Sequence, residues 1–182
     1  VYVIFQPAEE HGGGGGVMVR EGLFDRFPMD EVYALHNWPQ LPPGQIAVRP
    51  GPMMAAADEV SIVVHGKGGH GAMPHIAVDP VVVAAHIITA LQTLASRNVA
   101  PVDAVVLSIC SMHTSQTGVH NVIPDAVHLL GTLRTFRAAT RELAERRIHE
   151  IATGVATALG ATAHVEIERG YPATVNSPRE AE

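Results

Sequence analysis

Glu59-Val60-Ser61-Ile62-Val63-Val64-His65 is the stretch on which the fold turns. Val60, Ile62 and Val64 alternate with Glu59, Ser61, Val63 and His65, the period of two that marks a half-buried strand. Downstream, Asp79-Pro80 pairs an N-capping side chain with a proline at the first helical position, which opens a helix to about Arg97. Ala104–His113 and Val127–Phe136 read as strands of about ten residues. Thr140 to Leu159 is an amphipathic helix with Gly160 as its stop, and Ala161–Glu168 is a last strand. The order β-α-β-β-α-β is the ferredoxin-like split arrangement, an antiparallel sheet with two helices on one face. It predicts an α+β domain over residues 53–170.

Upstream the rhythm differs. Val1–Phe5 is an apolar run ending in Gln6-Pro7-Ala8-Glu9-Glu10, the pattern of a buried parallel strand that stops in a polar loop. His11 and the run Gly12–Gly16 follow, then an amphipathic helix through Val17, Met18 and Leu23. Glu31–Leu35 predicts a second strand, ending in His36-Asn37-Trp38-Pro39, and Gln45–Arg49 a third. Strand, helix, strand with polar residues at the strand ends predicts part of an open α/β domain over 1–52, whose ligands bind beyond the carboxyl ends of the strands. Pro50-Gly51-Pro52 reads as a hinge, and 171–182 as a return segment to the first domain. The chain opens on a strand and closes on Pro178-Arg179-Glu180-Ala181-Glu182, which resembles a helix start, so it reads as a piece of a longer protein.

Composition removes whole classes of function. The 182 residues are 47% apolar and 16% charged, with no apolar run near the roughly 20 residues of a membrane span. Net charge is −6 and the 12 cationic residues are scattered, which argues against a nucleic-acid surface. One cysteine, Cys110, forms no internal disulfide and suits a reducing, cytoplasmic compartment.

The candidate chemistry sits at the two polar strand ends. Glu9 and Glu10 are adjacent, so their side chains point apart; one can ligate a metal while the other faces a water as general base. A plain solvated pair fits the same residues. His36, 26 residues on, tips the balance, because carboxylate and imidazole at one sheet edge are typical ligands of divalent metals. The glycine run lacks the ending of a phosphate-binding loop, and its simpler role is to let backbone approach closely. Gly66-Lys67-Gly68-Gly69-His70-Gly71-Ala72-Met73-Pro74-His75 is a polar loop, read equally as part of a site or as exposed chain. Arg134, between Leu133 and Thr135, can hold a carboxylate bidentately or serve as a salt bridge to a helix. His65, His113, His128 and His164 carry no motif context.

Taken in order, Phe5-Gln6-Pro7-Ala8-Glu9-Glu10, Gly22-Leu23-Phe24-Asp25, Leu35-His36-Asn37-Trp38-Pro39, Gly68-Gly69-His70 with Pro74-His75, Val78-Asp79-Pro80, Asn121-Val122-Ile123-Pro124-Asp125 and Arg134-Thr135-Phe136 resemble one family. It is the amidohydrolase branch of the co-catalytic metallopeptidases, with hippurate hydrolase, N-acyl-amino-acid amidohydrolase and the indole-acetyl-amino-acid hydrolases. The resemblance spans the chain. It implies two divalent metals (manganese, zinc or cobalt), a small N-acyl amino acid as substrate and a homodimer formed through the second domain as a lid. By position it implies that Glu9 is the general base, that Glu10 and His36 are metal ligands, that His70 stabilises the oxyanion in the partner subunit's site, and that Asn121 and Arg134 contact substrate. Family members carry further ligands in a Cys-Gly-His-Asp segment and in a C-terminal histidine, neither of which occurs here, and His11 stands where many have glycine. The expectation for this chain by itself is weak metal binding and no useful turnover. A non-catalytic dimerisation module, and a dipeptidase or deacetylase of the same family, are the alternatives.

Overall fold

The computed structural model describes residues 1–9, 13–116 and 118–181. The chain divides into two units, Val1–Pro50 with Ser177–Glu182, and Gly51–Asn176.

In the first unit the described regular structure is helical: α1 (Gly14–Arg20) and α2 (Leu23–Arg26). The expected single helix breaks at Gly22, whose φ of 87° lies in the left-handed region. The glycine run has the packing role expected of it, since a Cβ on Gly14 would stand 1.8 Å from the Pro7 carbonyl oxygen. The strands expected over 1–5, 31–35 and 45–49 do not form among the described residues. The reason is the nature of a strand: its N–H and C=O groups need a ladder, and no described segment of this unit pairs with another. Val3, Phe5 and Leu35, which carry the β-type pattern, stand exposed. A small apolar cluster remains, with the Tyr2 and Phe27 rings edge to face at 5.4 Å.

The second unit opens with β1 (Gly51–Met54) and β2 (Ala56–His65), then β3 (Gly69–His70) and a 3-10 turn at Pro74–Ile76. Helix α3 (Pro80–Leu91) starts where Asp79 accepts the Val81 N–H at 2.9 Å, and a π-helical turn at Leu94–Asn98 ends the helical stretch. Strands β4 (Val105–Thr114), β5 (Val122–Ile123) and β6 (Ala126–Thr135) come next. Helix α4 (Ala138–Ala158), β7 (Thr162–Arg169) and β8 (Thr174–Asn176) complete it. Gly160, with φ 78°, stops α4, and the Ala161 N–H returns to the Ala156 carbonyl at 2.9 Å.

Four strands form one antiparallel sheet in the order β4-β6-β2-β7. The two-residue period of β2 then decides the layers. Val60, Ile62 and Val64 are buried in one core with Leu129 and Leu133 of β6, Val83, Ile87 and Leu91 of α3, and Ala144, Ile148, Ala152 and Ala156 of α4. The fourfold spacing of those α4 residues is one face of a helix, and its alanines admit a close approach. Glu59, Ser61, His128, Leu130, Thr132 and Arg134 alternate with core residues, so within this unit they occupy the sheet face that the helices do not cover. A bulge between Ile109 and Ser111 shifts the alternation of β4 halfway along.

Two smaller ladders complete the unit, β1 with β8 and β3 with β5, both antiparallel. Asp58 ties the sheet to α4. This fully buried carboxylate takes two guanidinium hydrogen bonds from Arg141, the Nε one at 2.8 Å, and the Gly170 N–H at 3.2 Å. Among the described residues, no helix is long and apolar enough to cross a membrane.

Candidate active site

His70 and Asn121 come together in the second unit. His70 lies on β3 opposite Val122 of β5, and the Gly71 N–H donates to the Asn121 carbonyl at 2.8 Å. The glycine-rich segment around His70, expected as a polar loop, therefore contains the two-residue strand β3 and a bridge from Lys67 to Val78. Its glycines are needed for close approach: a Cβ on Gly66 would stand 2.2 Å from the Val78 oxygen, and one on Gly68 would stand 2.7 Å from Asp125 Oδ1. Asp125 accepts the Gly68 N–H through that oxygen at 2.9 Å and the Gly66 N–H through its carbonyl. It anchors the segment, a role the sequence pattern did not single out although Asp125 closes the Asn-Val-Ile-Pro-Asp motif.

The His70 ring has its tautomer set by the backbone. Ala72 N–H lies 3.1 Å from Nδ1, and a backbone amide can only donate, so Nδ1 accepts and the proton of the neutral ring sits on Nε2. The exposed edge of His70 is then an N–H donor, as an oxyanion contact requires.

Arg134 stands apart from this pair. It is the ninth residue of β6, about 27 Å along the strand from its first residue Ala126, and Asn121 and β5 lie before that residue. The Arg134 Nη1 group donates weakly to the carbonyls of Leu133 (3.2 Å) and Asp58 (3.4 Å). Its Nε and Nη2 groups have no partner among the described residues, and no described ion pair includes it. The helix salt bridge weighed for Arg134 belongs instead to Arg141 with Asp58 and Arg169 with Glu145. The bidentate Glu145 contact raises the Arg169 pKa above its ordinary value. Around Arg134 the uncovered face forms a shallow groove of about 400 Å³, with Glu59, Leu130, Thr132, Glu166 and Glu168 on its walls.

In the first unit, Glu9 and His36 are exposed, while Glu10 and His11 fall outside the described residues. Ala8, next to Glu9, has φ 49°, a left-handed conformation that costs an alanine about 1–2 kcal/mol. His36 Nδ1 lies 2.7 Å from the Asn37 carbonyl, which can only accept, so Nδ1 carries the proton and the Nε2 lone pair faces outward. That is the tautomer of a metal ligand. Tyr33 donates to Glu31 Oε2 at 2.8 Å, and this hydrogen bond raises the phenol's pKa above its ordinary value. Among the described residues no group of three histidine, cysteine or acidic side chains is arranged to hold a metal. The donors fit a divalent ion in kind, imidazole and carboxylate, and His36 fits by tautomer as well.

Comparison with known proteins decides the family. The model of peptidase family M20/M25/M40 matches residues 1–182. The chain belongs to this family. An M20 relative, the N-acetyldiaminopimelate deacetylase of Streptococcus uberis, is 40% identical over 180 residues, 98% of this chain and 47% of that protein. Thermostable carboxypeptidase 2 of Saccharolobus solfataricus is 38% identical over 181 residues, 98% of this chain and 45% of that protein. Among solved structures, the YXEP protein of Bacillus subtilis, described as a dinuclear metal binding peptidase of the M20 family, superposes with a TM-score of 0.74 at 30% identity. That match covers 97% of this chain and 43% of the other. The chain thus spans a little under half the length of these three M20 proteins.

Proposed function

We propose a metal-dependent amidohydrolase that cleaves the amide bond of N-acyl amino acids to a carboxylic acid and an amino acid. The observation that carries this reading is the opposed pair of tautomers: His36 presents a lone pair, and His70 presents an N–H. An amide hydrolase of the M20 type needs both, one for metal and one for the oxygen that gains charge. Family membership and a 40% identical deacetylase support the substrate class, and a dinuclear M20 neighbour supports a metal pair.

Glu10 and His36 are the proposed ligands within this chain. Bound divalent ions (manganese, zinc or cobalt suit these donors) supply Lewis acidity that brings a water's pKa toward neutrality. Glu9 takes the proton from the attacking water and returns it to the leaving amine. The His70 Nε2–H donates to the carbonyl oxygen as the tetrahedral species forms, and Asn121 lies beside it. The free fork of Arg134 receives the substrate's carboxylate bidentately.

Geometry makes this a two-subunit proposal. An N-acyl amino acid is about 10 Å long, three residues' worth of extended chain. Arg134 stands more than twice that length along β6 from Ala126, before which the His70–Asn121 pair lies, so the two contacts are assigned to different subunits. In the proposed homodimer, formed through the ferredoxin-like second unit acting as a lid, each site takes Arg134 from one subunit and His70 from the other.

The test is release of free amino acid from N-acetyl amino acids and hippurate by the full-length parent protein, purified and stripped of metal, with and without added manganese or zinc. Release that depends on metal is the expected result. Release only from dipeptides moves the reading to the carboxypeptidase-like alternative, which the Saccharolobus relative favours. Absence of any metal binding refutes the enzyme reading and leaves the second unit as a self-associating module.

A further inference from the structure

His113 of β4 and His128 of β6 are directly opposite each other across the ladder, and their rings stack with centroids 5.0 Å apart and planes 7° from parallel. The β4 bulge puts them there. Upstream of it, Val106 and Ser108 share the uncovered face with Arg134 and Thr132; downstream the parity flips, and Ser111 and His113 take that face opposite Leu130 and His128. With strict alternation along β4 in place of the bulge, His113 would point to the helix side. A bulge that re-aims one side chain beside another is a feature of sites rather than of edges alone.

We propose that His113 and His128 form a bidentate site for a borderline divalent transition metal, copper(II) or nickel(II) ahead of zinc. Directly opposite positions hold the two Cβ atoms about 4.5–5.5 Å apart. Near-parallel rings at that spacing reach a shared ion at about 2.0–2.1 Å from each nitrogen after a modest rotation about their side-chain bonds. A neutral imidazole is the ligating form. Among the described residues no hydrogen bond or ion pair engages either ring, so no contact must be broken to free a lone pair. His128 is half-buried on a central strand, which fixes one donor, while exposed His113 on the edge strand adjusts. The surroundings agree in chemistry: His65 is diagonal to His128, and His164 lies on the same face beyond Val63, hydrogen-bonded to Glu166. Water completes the coordination, because no third protein ligand is in place among the described residues. The order of metals follows the general rise in affinity of nitrogen sites to copper.

The site uses none of the residues assigned to amide hydrolysis, so it stands or falls separately. Untagged protein, stripped of metal, is titrated with nickel(II) by calorimetry and by amide NMR. Wild type is expected to show paramagnetic broadening of Met112–Thr114 and Val127–Leu129 amides at substoichiometric nickel. His128→Phe keeps a ring in the stack and removes the nitrogens; His113→Ala removes the other donor from an exposed position. Each is expected to weaken nickel binding at this site by at least about tenfold, the lower bound of what loss of even an outer partner costs a metal site, with an unchanged melting temperature. The double variant is expected to lose the residual binding that one imidazole leaves at this site. Broadening confined to other residues, or affinity within twofold of wild type in both single variants, overturns the proposal.

Discussion

Which nitrogen of a histidine carries its proton is decided in this chain by the backbone atom beside it. A carbonyl next to His36 and an amide next to His70 give the two rings opposite tautomers, although both are exposed histidines in short polar segments. The sequence offers a carboxylate pair and a histidine at segments that read as strand ends, a pattern that fits a metal site or a plain solvated pair. The tautomers were not legible there, since they depend on local backbone geometry. Two outcomes follow at this scale. In the full-length parent protein, Glu9→Gln is expected to retain metal, measured by atomic absorption, and to lose nearly all turnover; loss of metal would make Glu9 a ligand instead. His70→Ala is expected to lower kcat by about 10²–10³-fold, the usual loss for one oxyanion donor, with KM and metal content little changed.

At the scale of elements, capping and periodicity were legible where they were local. Asp79-Pro80 starts α3 and Gly160 ends α4, as their types demand. Register was not legible. The bulge is one residue in an unbroken β-type run, and it decides which face His113 occupies; without it the two stacked histidines looked unrelated. The β3–β5 ladder was hidden for a similar reason, its strands being two residues each. Gly68→Ala is expected to push that ladder apart, because its Cβ meets Asp125 and the Ile123 carbonyl below 3 Å. Faster hydrogen exchange at the Gly71 amide, together with a kcat loss that follows His70→Ala, is the signature. Asp58 joins β2, α4 and the end of β7 through Arg141 and Gly170. Asp58→Ala leaves Arg141 mostly buried with only the longer approach of Glu145 at 3.9 Å and the Gly170 carbonyl, and is expected to cost about 3–5 kcal/mol in urea unfolding, whereas surface Glu150→Ala is expected to change little.

Across the whole molecule, the two units differ in how far they satisfy their own backbone. The second closes a four-stranded sheet over a core from both helices; the first has strand-like sequence and no described ladder. Sequence periodicity could not separate these cases, since it reports what a segment can bury and not what lies beside it. Separation along β6 also constrains function more than any motif, because it divides the proposed substrate contacts between subunits. Mixing the His70→Ala and Arg134→Ala forms of the protein tests this directly. Each alone is expected to be nearly inactive on an N-acetyl amino acid. After unfolding and refolding together, half of the dimers are mixed and each of those has one site with both residues intact, so activity is expected to return to about a quarter of wild type. A mixture no more active than its two components would contradict a site shared between subunits.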